Sequence, residues 1–164
     1  MRNICLLFCL WLPALACGQS PQAVSQPAAF HVAGSFFAMS VADADASAKW
    51  YAEKLGLKLA VQMAKSKDTP AVRILAGGGL IVELVELEKA VPLSTAAPAI
   101  SATELVHGIF KAGVIVDDLD QIIALLKARD VPIFLGPFPV RENSMRNLII
   151  KDNAGNLIQF FGRK

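Results

Sequence analysis

Eight short, largely apolar segments predict eight β-strands, and alternation with a period of two assigns the faces of several of them. In residues 36–41, for example, Phe37, Met39 and Val41 share one face. Two segments have helical periodicity instead: one follows Asp43 and ends at Gly56, and the other carries Leu119, Ile122, Ile123 and Leu126. The strands are expected at residues 36–41, 58–64, 71–76, 80–87, 109–116, 131–135, 145–151 and 157–161.

The second half of the chain repeats this pattern at an offset of 75 to 76 residues. Residues 41–43 (VAD) recur as 116–118 (VDD), and residues 79–83 (GLIVE) recur as 155–159 (GNLIQ). Such repeats indicate similar supersecondary units that pack against each other. We therefore predict an α+β fold with two β-α-β-β-β units, at about residues 34–87 and 107–162, joined by a linker over residues 88–106.

The first 16 residues have the layout of a secretory signal peptide. Arg2 precedes an apolar run over residues 4–12, and small residues follow before Cys17. Residues 17–32 are rich in Ser, Pro, Gln and Ala and are typical of a flexible tether, so the folded domain is expected at residues 33–164. Export to the periplasm or the bacterial envelope follows from this layout.

All three cysteines lie in or next to this leader, which excludes a disulfide or a catalytic thiol in the body of the protein. Cys17 is a candidate for lipid attachment, and a soluble exported protein cut at the same bond is the alternative. The formal net charge is +2 at pH 7, and this balance gives no indication of nucleic-acid binding.

Four polar or aromatic positions are expected on the sheet faces turned away from the helices. Strand alternation places Glu83, Lys111 and Gln159 there, and the repeat makes Phe36 the equivalent of Lys111. The opposite faces are apolar and should pack on the helices. They include Val82, Leu84, Ala112, Val114, Ile158 and Phe160. We expect the four positions to face one another in a shared cavity.

Three segments resemble the vicinal oxygen chelate superfamily, which includes glyoxalases, extradiol dioxygenases, and fosfomycin- and bleomycin-resistance proteins. They are residues 37–43 (FAMSVAD), 50–56 (WYAEKLG) and 152–158 (DNAGNLI), the last with Asn153 in place of the family's proline. The resemblance implies a half-open barrel around a divalent metal held by His or Glu on four strands. Those positions correspond here to Phe36, Glu83, Lys111 and Gln159.

This set of side chains disfavours a metal cofactor, because phenylalanine has no donor atom and an ammonium group repels a cation. One interpretation is that Lys111 occupies the metal's place and is balanced by Glu83. The alternative is that Lys111 extends to solvent and Glu83 is hydrated. Arg73 and Arg146 are weaker candidates for binding an anion, and solvated strand positions are the alternative for both.

Three functions remain open. The chain is expected to be an exported, metal-free binding protein for a small molecule. The alternatives are a metal-dependent lyase or dioxygenase and a structural protein with a filled cavity. Because members of the superfamily also pair their units between chains, both a monomer and a homodimer are compatible with the sequence.

Overall fold

Eight strands form two four-stranded sheets with the same strand order. The order is β1-β4-β3-β2 in one sheet and β5-β8-β7-β6 in the other. The pairs β1–β4 and β5–β8 are parallel, and the other neighbouring strands are antiparallel. The strands are β1 (Phe37–Ser40), β2 (Lys58–Met63), β3 (Ala71–Gly77), β4 (Leu80–Glu86), β5 (Lys111–Val116), β6 (Ile133–Phe138), β7 (Arg146–Lys151) and β8 (Leu157–Gly162). The predicted pair of β-α-β-β-β units and the α+β class are confirmed.

This architecture comes from a computed structural model that describes residues 34–102, 105–140 and 145–163. They belong to one compact unit, Ala33–Lys164. The predicted signal peptide, the tether and Cys17 lie outside the described residues. Among the described residues, no helix is long and apolar enough to cross a membrane.

Each long helix begins at an aspartate, as the repeat predicts. Asp43 accepts a hydrogen bond from the backbone N–H of Ala46 at the start of α1 (Ala44–Trp50), and Asp118 caps α3 (Leu119–Ala128) in the same way. A π-helical turn over Tyr51–Leu55 continues α1 and ends at Gly56, whose φ of 76° is left-handed. A short helix, α2 (Leu93–Ala96), lies in the linker.

One hydrophobic core is shared by both units. It contains the helix-facing side chains of both sheets together with residues of both helices. Of the strand positions predicted to pack on the helices, Val82, Leu84, Ile158 and Phe160 are buried, and Val114 is packed against them. Burial of apolar area on this scale is the main force that holds the two units together.

The sixth strand differs most from the prediction. Residues 131–135 were expected to form it, whereas β6 runs over Ile133–Phe138 and includes Gly136 and Pro137. A Gly-Pro pair is typical of a turn, but β6 is an edge strand, where proline is tolerated because one side of the strand needs no donor. Its pairing with β7 is correspondingly irregular.

Candidate functional site

The first strands of the two sheets face a common cavity. Both β1 and β5 are edge strands, and they belong to separate sheets. The space between them forms a cavity of about 830 Å³ that both strands line. This volume lies within the range of small-molecule sites, about 300–1,000 Å³.

The walls of the cavity come from both units. Residues 35–40 and 109–116 supply its two sides, and the Gly77–Gly78–Gly79 turn with Leu80 closes part of its edge. The remaining lining residues come from the end of the π-helical turn and the residues after it, from α3, and from β8 with the residue before it: Leu55, Leu57, Ile122, Leu125, Leu126, Asn156, Leu157 and Phe160. Most of these side chains are apolar, so the cavity offers an apolar molecule more favourable surroundings than water.

Two of the four predicted site residues line this cavity and two do not. Phe36 and Lys111 are lining residues, whereas Glu83 and Gln159 are not. The cavity follows the gap between β1 and β5, while β4 and β8 lie one strand further in and contribute only Leu80, Leu157 and Phe160 to the lining. Gln159 is 6% exposed, and its side-chain amide donates to Oδ1 of Asn147 over 2.8 Å.

The predicted ion pair between Lys111 and Glu83 is not formed. Among the described residues, Lys111 has neither a carboxylate within ion-pair distance nor a hydrogen-bond partner. Its ammonium group lies over the ring of Phe110, with Nζ 5.1 Å from the ring centroid. Lys111 is half-buried at the start of β5.

The four positions do not suit a divalent metal of the kind that the resemblance implies. Phe36 has no donor atom, Lys111 is cationic, and the amide of Gln159 is engaged with Asn147. Only Glu83 is a usual ligand, whereas divalent transition metals take three or four such donors. Within the described ranges, no group of three or more His, Cys, Asp or Glu side chains is placed to hold a metal ion.

Arg73 and Arg146 each lie on the helix-facing side of a sheet, where they bind an aspartate of a helix. Arg73 is 5% exposed, and its Nε donates to Oδ1 of Asp45 over 2.7 Å. Arg146 forms a two-pronged contact with Asp120, over 3.1 and 2.8 Å, and this guanidinium holds the pKa of Asp120 below its ordinary value. Neither arginine lines the cavity.

The repeat in the sequence contained a signal for these two contacts. Asp45 and Asp120 are 75 residues apart, and Arg73 and Arg146 are 73 residues apart. The ion pairs Arg73–Asp45 and Arg146–Asp120 each join the third strand of a unit to the first turn of that unit's helix. The arginines therefore fix each helix against its own sheet.

Tyr51 links the two units behind the cavity. Its hydroxyl donates to Oδ2 of Asp152 over 2.9 Å, and Sδ of Met39 in β1 lies 3.1 Å from the same oxygen. Asp152 also accepts from the backbone N–H groups of Ala154 and Asn156 and from the Asn156 side chain. Burial and the charge of Asp152, with its hydrogen bond, raise the pKa of Tyr51 far above its ordinary value.

Comparison with known families identifies the chain. Residues 30–160 match the family described as the Glyoxalase/Bleomycin resistance protein/Dioxygenase superfamily. The chain belongs to this superfamily. A search of curated proteins found no significant match to the chain.

Solved structures of the superfamily share the fold at low sequence identity. The glyoxalase/bleomycin resistance protein/dioxygenase domain from Frankia sp. EAN1pec is 18% identical with a TM-score of 0.63, covering 82% of this chain and 94% of that one. The antibiotic binding protein TnmS3 from Streptomyces sp. CB03234 is 21% identical with a TM-score of 0.57, covering 82% and 100%. A glyoxalase I mutant from Zea mays is 20% identical with a TM-score of 0.56, covering 76% and 43%. At these identities the likeness establishes the fold and leaves the ligand to be argued from the site.

Proposed function

We propose that this superfamily member is an exported, metal-free protein that binds a small, partly apolar molecule between its two units. The observation that carries the proposal is the cavity of about 830 Å³ between β1 and β5, with its mainly apolar lining. Such a cavity is the usual form of a small-molecule site. An open cavity also favours binding over a purely structural role.

The fold comparison adds support of a weaker kind. One solved structure with this fold is an antibiotic binding protein. That protein shows that the fold can bind an organic molecule, but the same fold also serves a glyoxalase I. The choice between binding and catalysis therefore rests on the residues of this site.

The side chains at the four positions favour a metal-free protein over a metal-dependent lyase or dioxygenase. Glu83 alone would have to hold the ion, because Phe36 and Lys111 supply no usable ligand. After dialysis, the purified full chain should contain far less than one equivalent of any divalent metal by elemental analysis. A stoichiometric metal that survives dialysis would make the enzyme the better proposal.

Ligand binding can be tested by placing a larger side chain at a lining position of the cavity. Gly113 lies in the middle of β5, and a Cβ atom there would meet only the carbonyl oxygen of Gln159, at 3.8 Å. Gly113→Val should therefore fill space in the cavity without disturbing the core, and valine suits a strand. Ala60→Val, on the exposed strand β2 and outside the lining, is the matched control.

A library of small molecules would be screened by thermal shift against the full chain. Ligands that bind the native state raise its melting temperature by mass action. We expect hits whose stabilisation is lost in Gly113→Val and kept in Ala60→Val. Hits that stabilise both variants equally would place binding elsewhere and would contradict the proposed site.

Export and lipid attachment are proposed from the leader sequence. The protein should fractionate with the bacterial envelope, and Cys17→Ala should release it from the membrane if Cys17 carries the lipid. A single acyl chain gives weak anchoring, so more than one is expected on a stably bound protein. Recovery of the wild-type protein from the cytosol would overturn this assignment.

A further inference from the structure

The cavity contains a single charged side chain. Among the described residues that line it, Lys111 alone carries a charge, and the other polar side chains are Ser35, Ser40 and Asn156. The Asn156 amide already donates to Asp152 over 2.9 Å. Lys111 is therefore the dominant electrostatic feature inside an apolar site.

The ammonium group of Lys111 has no anionic partner within the described parts of the chain. Three other residues of the lining are exposed apolar side chains: Phe36, Ile109 and Ile115 are 65%, 100% and 60% exposed. A ligand that brings an anionic group would form charge-assisted hydrogen bonds with the N–H donors of Lys111.

Glu83, the carboxylate that the repeat suggested as a partner, does not neutralise the charge of Lys111. Glu83 is outside the lining and forms no ion pair with Lys111. A cationic ligand would meet the ammonium group without a compensating carboxylate in the wall, which is unfavourable at close range. A neutral apolar ligand would gain only from the apolar lining.

From this arrangement we infer the class of ligand: an apolar, ring-containing or aliphatic molecule that carries one anionic group, a carboxylate or a sulfonate. Lys111 binds the anionic group, and the apolar part lies between β1 and β5. This inference rests on the proposed binding function. It adds the charge of the ligand and the residue that selects it.

Two fluorescent probes with nearly the same skeleton test binding in the cavity and recognition of an anion by Lys111 separately. 8-Anilinonaphthalene-1-sulfonate carries a sulfonate, and N-phenyl-1-naphthylamine is its neutral counterpart. Both would be titrated into the full chain and into Lys111→Met, Lys151→Met and Gly113→Val. Methionine keeps the apolar stem of the lysine but removes its charge.

Lys151 is a matched control, because its Nζ also lies over an aromatic ring, 3.8 Å from the centroid of Phe134, but Lys151 does not line the cavity. We expect Lys111→Met to weaken the sulfonate probe by about tenfold or more, the loss of one charge-assisted hydrogen bond. The neutral probe should bind Lys111→Met as it binds the wild type. Lys151→Met should change neither probe, and Gly113→Val should weaken both.

The possible failures are distinguishable. If Lys111→Met leaves the sulfonate probe unchanged while Gly113→Val still weakens both probes, the anion inference is overturned and the binding cavity stands. If Gly113→Val affects neither probe, or neither probe binds saturably, the proposed function fails and the inference fails with it. Circular dichroism and thermal unfolding of each variant would establish that its fold is intact.

Discussion

Alkaline pH should destabilise the folded protein through Tyr51. The side chain is 0% exposed, and its hydroxyl donates to the carboxylate of Asp152 over 2.9 Å. Ionising the phenol would bury a second negative charge next to that carboxylate and would remove the donor. Burial first, and Asp152 second, therefore raise the pKa of Tyr51 in the native state.

The sign and size of the effect follow from proton linkage. In the unfolded chain, tyrosine releases its proton near its ordinary pKa of 10.0, while the native state keeps it. The unfolded state then binds fewer protons, so stability is complete below this pH and falls as the pH rises. The loss approaches about 1.4 kcal/mol per pH unit well above pH 10, and it amounts to about 2.3 kcal/mol between pH 10 and pH 12.

The chain offers a clean assay because it contains one tyrosine. Tyrosinate absorbance in the near ultraviolet therefore reports Tyr51 alone. It should appear together with unfolding by circular dichroism, well above the pH at which a free tyrosine ionises. Urea unfolding at a series of pH values gives the free energy for the wild type and for Tyr51→Phe.

Tyr51→Phe should be less stable at neutral pH by about 1.5–3 kcal/mol, the value of a hydrogen bond to a charged group. The lower end is expected because Asp152 keeps three other donors. Lysines and other groups that titrate at high pH act on both proteins and cancel in the comparison. The difference between wild type and variant should shrink above pH 10 as tyrosine linkage acts on the wild type alone.

Two results would refute this reasoning. One is tyrosinate absorbance that titrates near the ordinary pKa while the circular dichroism remains native. The other is a parallel loss of stability in the wild type and in Tyr51→Phe over the alkaline range. Either would mean that Tyr51 reaches water in the native state.

Two further predictions concern stability in urea unfolding. Arg73→Ala should lower the free energy of unfolding by about 1–3 kcal/mol, because the carbonyl oxygens of Met63 and Val72 lose a charged donor. Arg146→Ala, at the surface, should lower it much less, and this effect should disappear in high salt. Equal losses would contradict the difference in burial. Gly56→Ala should lower the free energy of unfolding by about 1–2 kcal/mol, because Gly56 has a left-handed backbone conformation. Asp130 in the second unit has a left-handed φ of 52°, so Asp130→Gly should be neutral or stabilising. A destabilised Asp130→Gly would indicate that the aspartate side chain, and not the backbone, determines that turn.

Much of the fold was predictable from local patterns. The β4 and β7 segments were expected within one residue of where they lie, because each contains a run of consecutive Leu, Ile or Val residues, which favours a strand. Asp43 and Asp118 begin the helices as capping chemistry predicts. The sixth strand was placed too early because local turn signals at Gly136 and Pro137 were overridden by sheet-edge pairing.

The site was less predictable, because it depends on the distance between two sheets. Alternation correctly predicted the buried positions Val82, Leu84, Ile158 and Phe160, but it does not specify which side chains line the same cavity. Phe36 and Lys111 line it since they lie at the gap between the edge strands. Glu83 and Gln159 lie on the next strands, β4 and β8, from which only a few residues reach the cavity. The repeat places Asp45 and Asp120 at equivalent positions, but only the tertiary structure shows that Arg73 and Arg146 contact them.

The sequence by itself determined the duplicated α+β architecture, since periodicity and capping act over a few residues and the repeat applies them twice. It also determined that the four family positions carry only one usual metal ligand. The tertiary structure decided that the sheets leave a cavity between β1 and β5, that Lys111 and Glu83 do not meet, and that Tyr51 reaches Asp152 across 101 residues of chain. Such contacts depend on how the two units pack against each other, and no local sequence pattern encodes the distance between residues of different units.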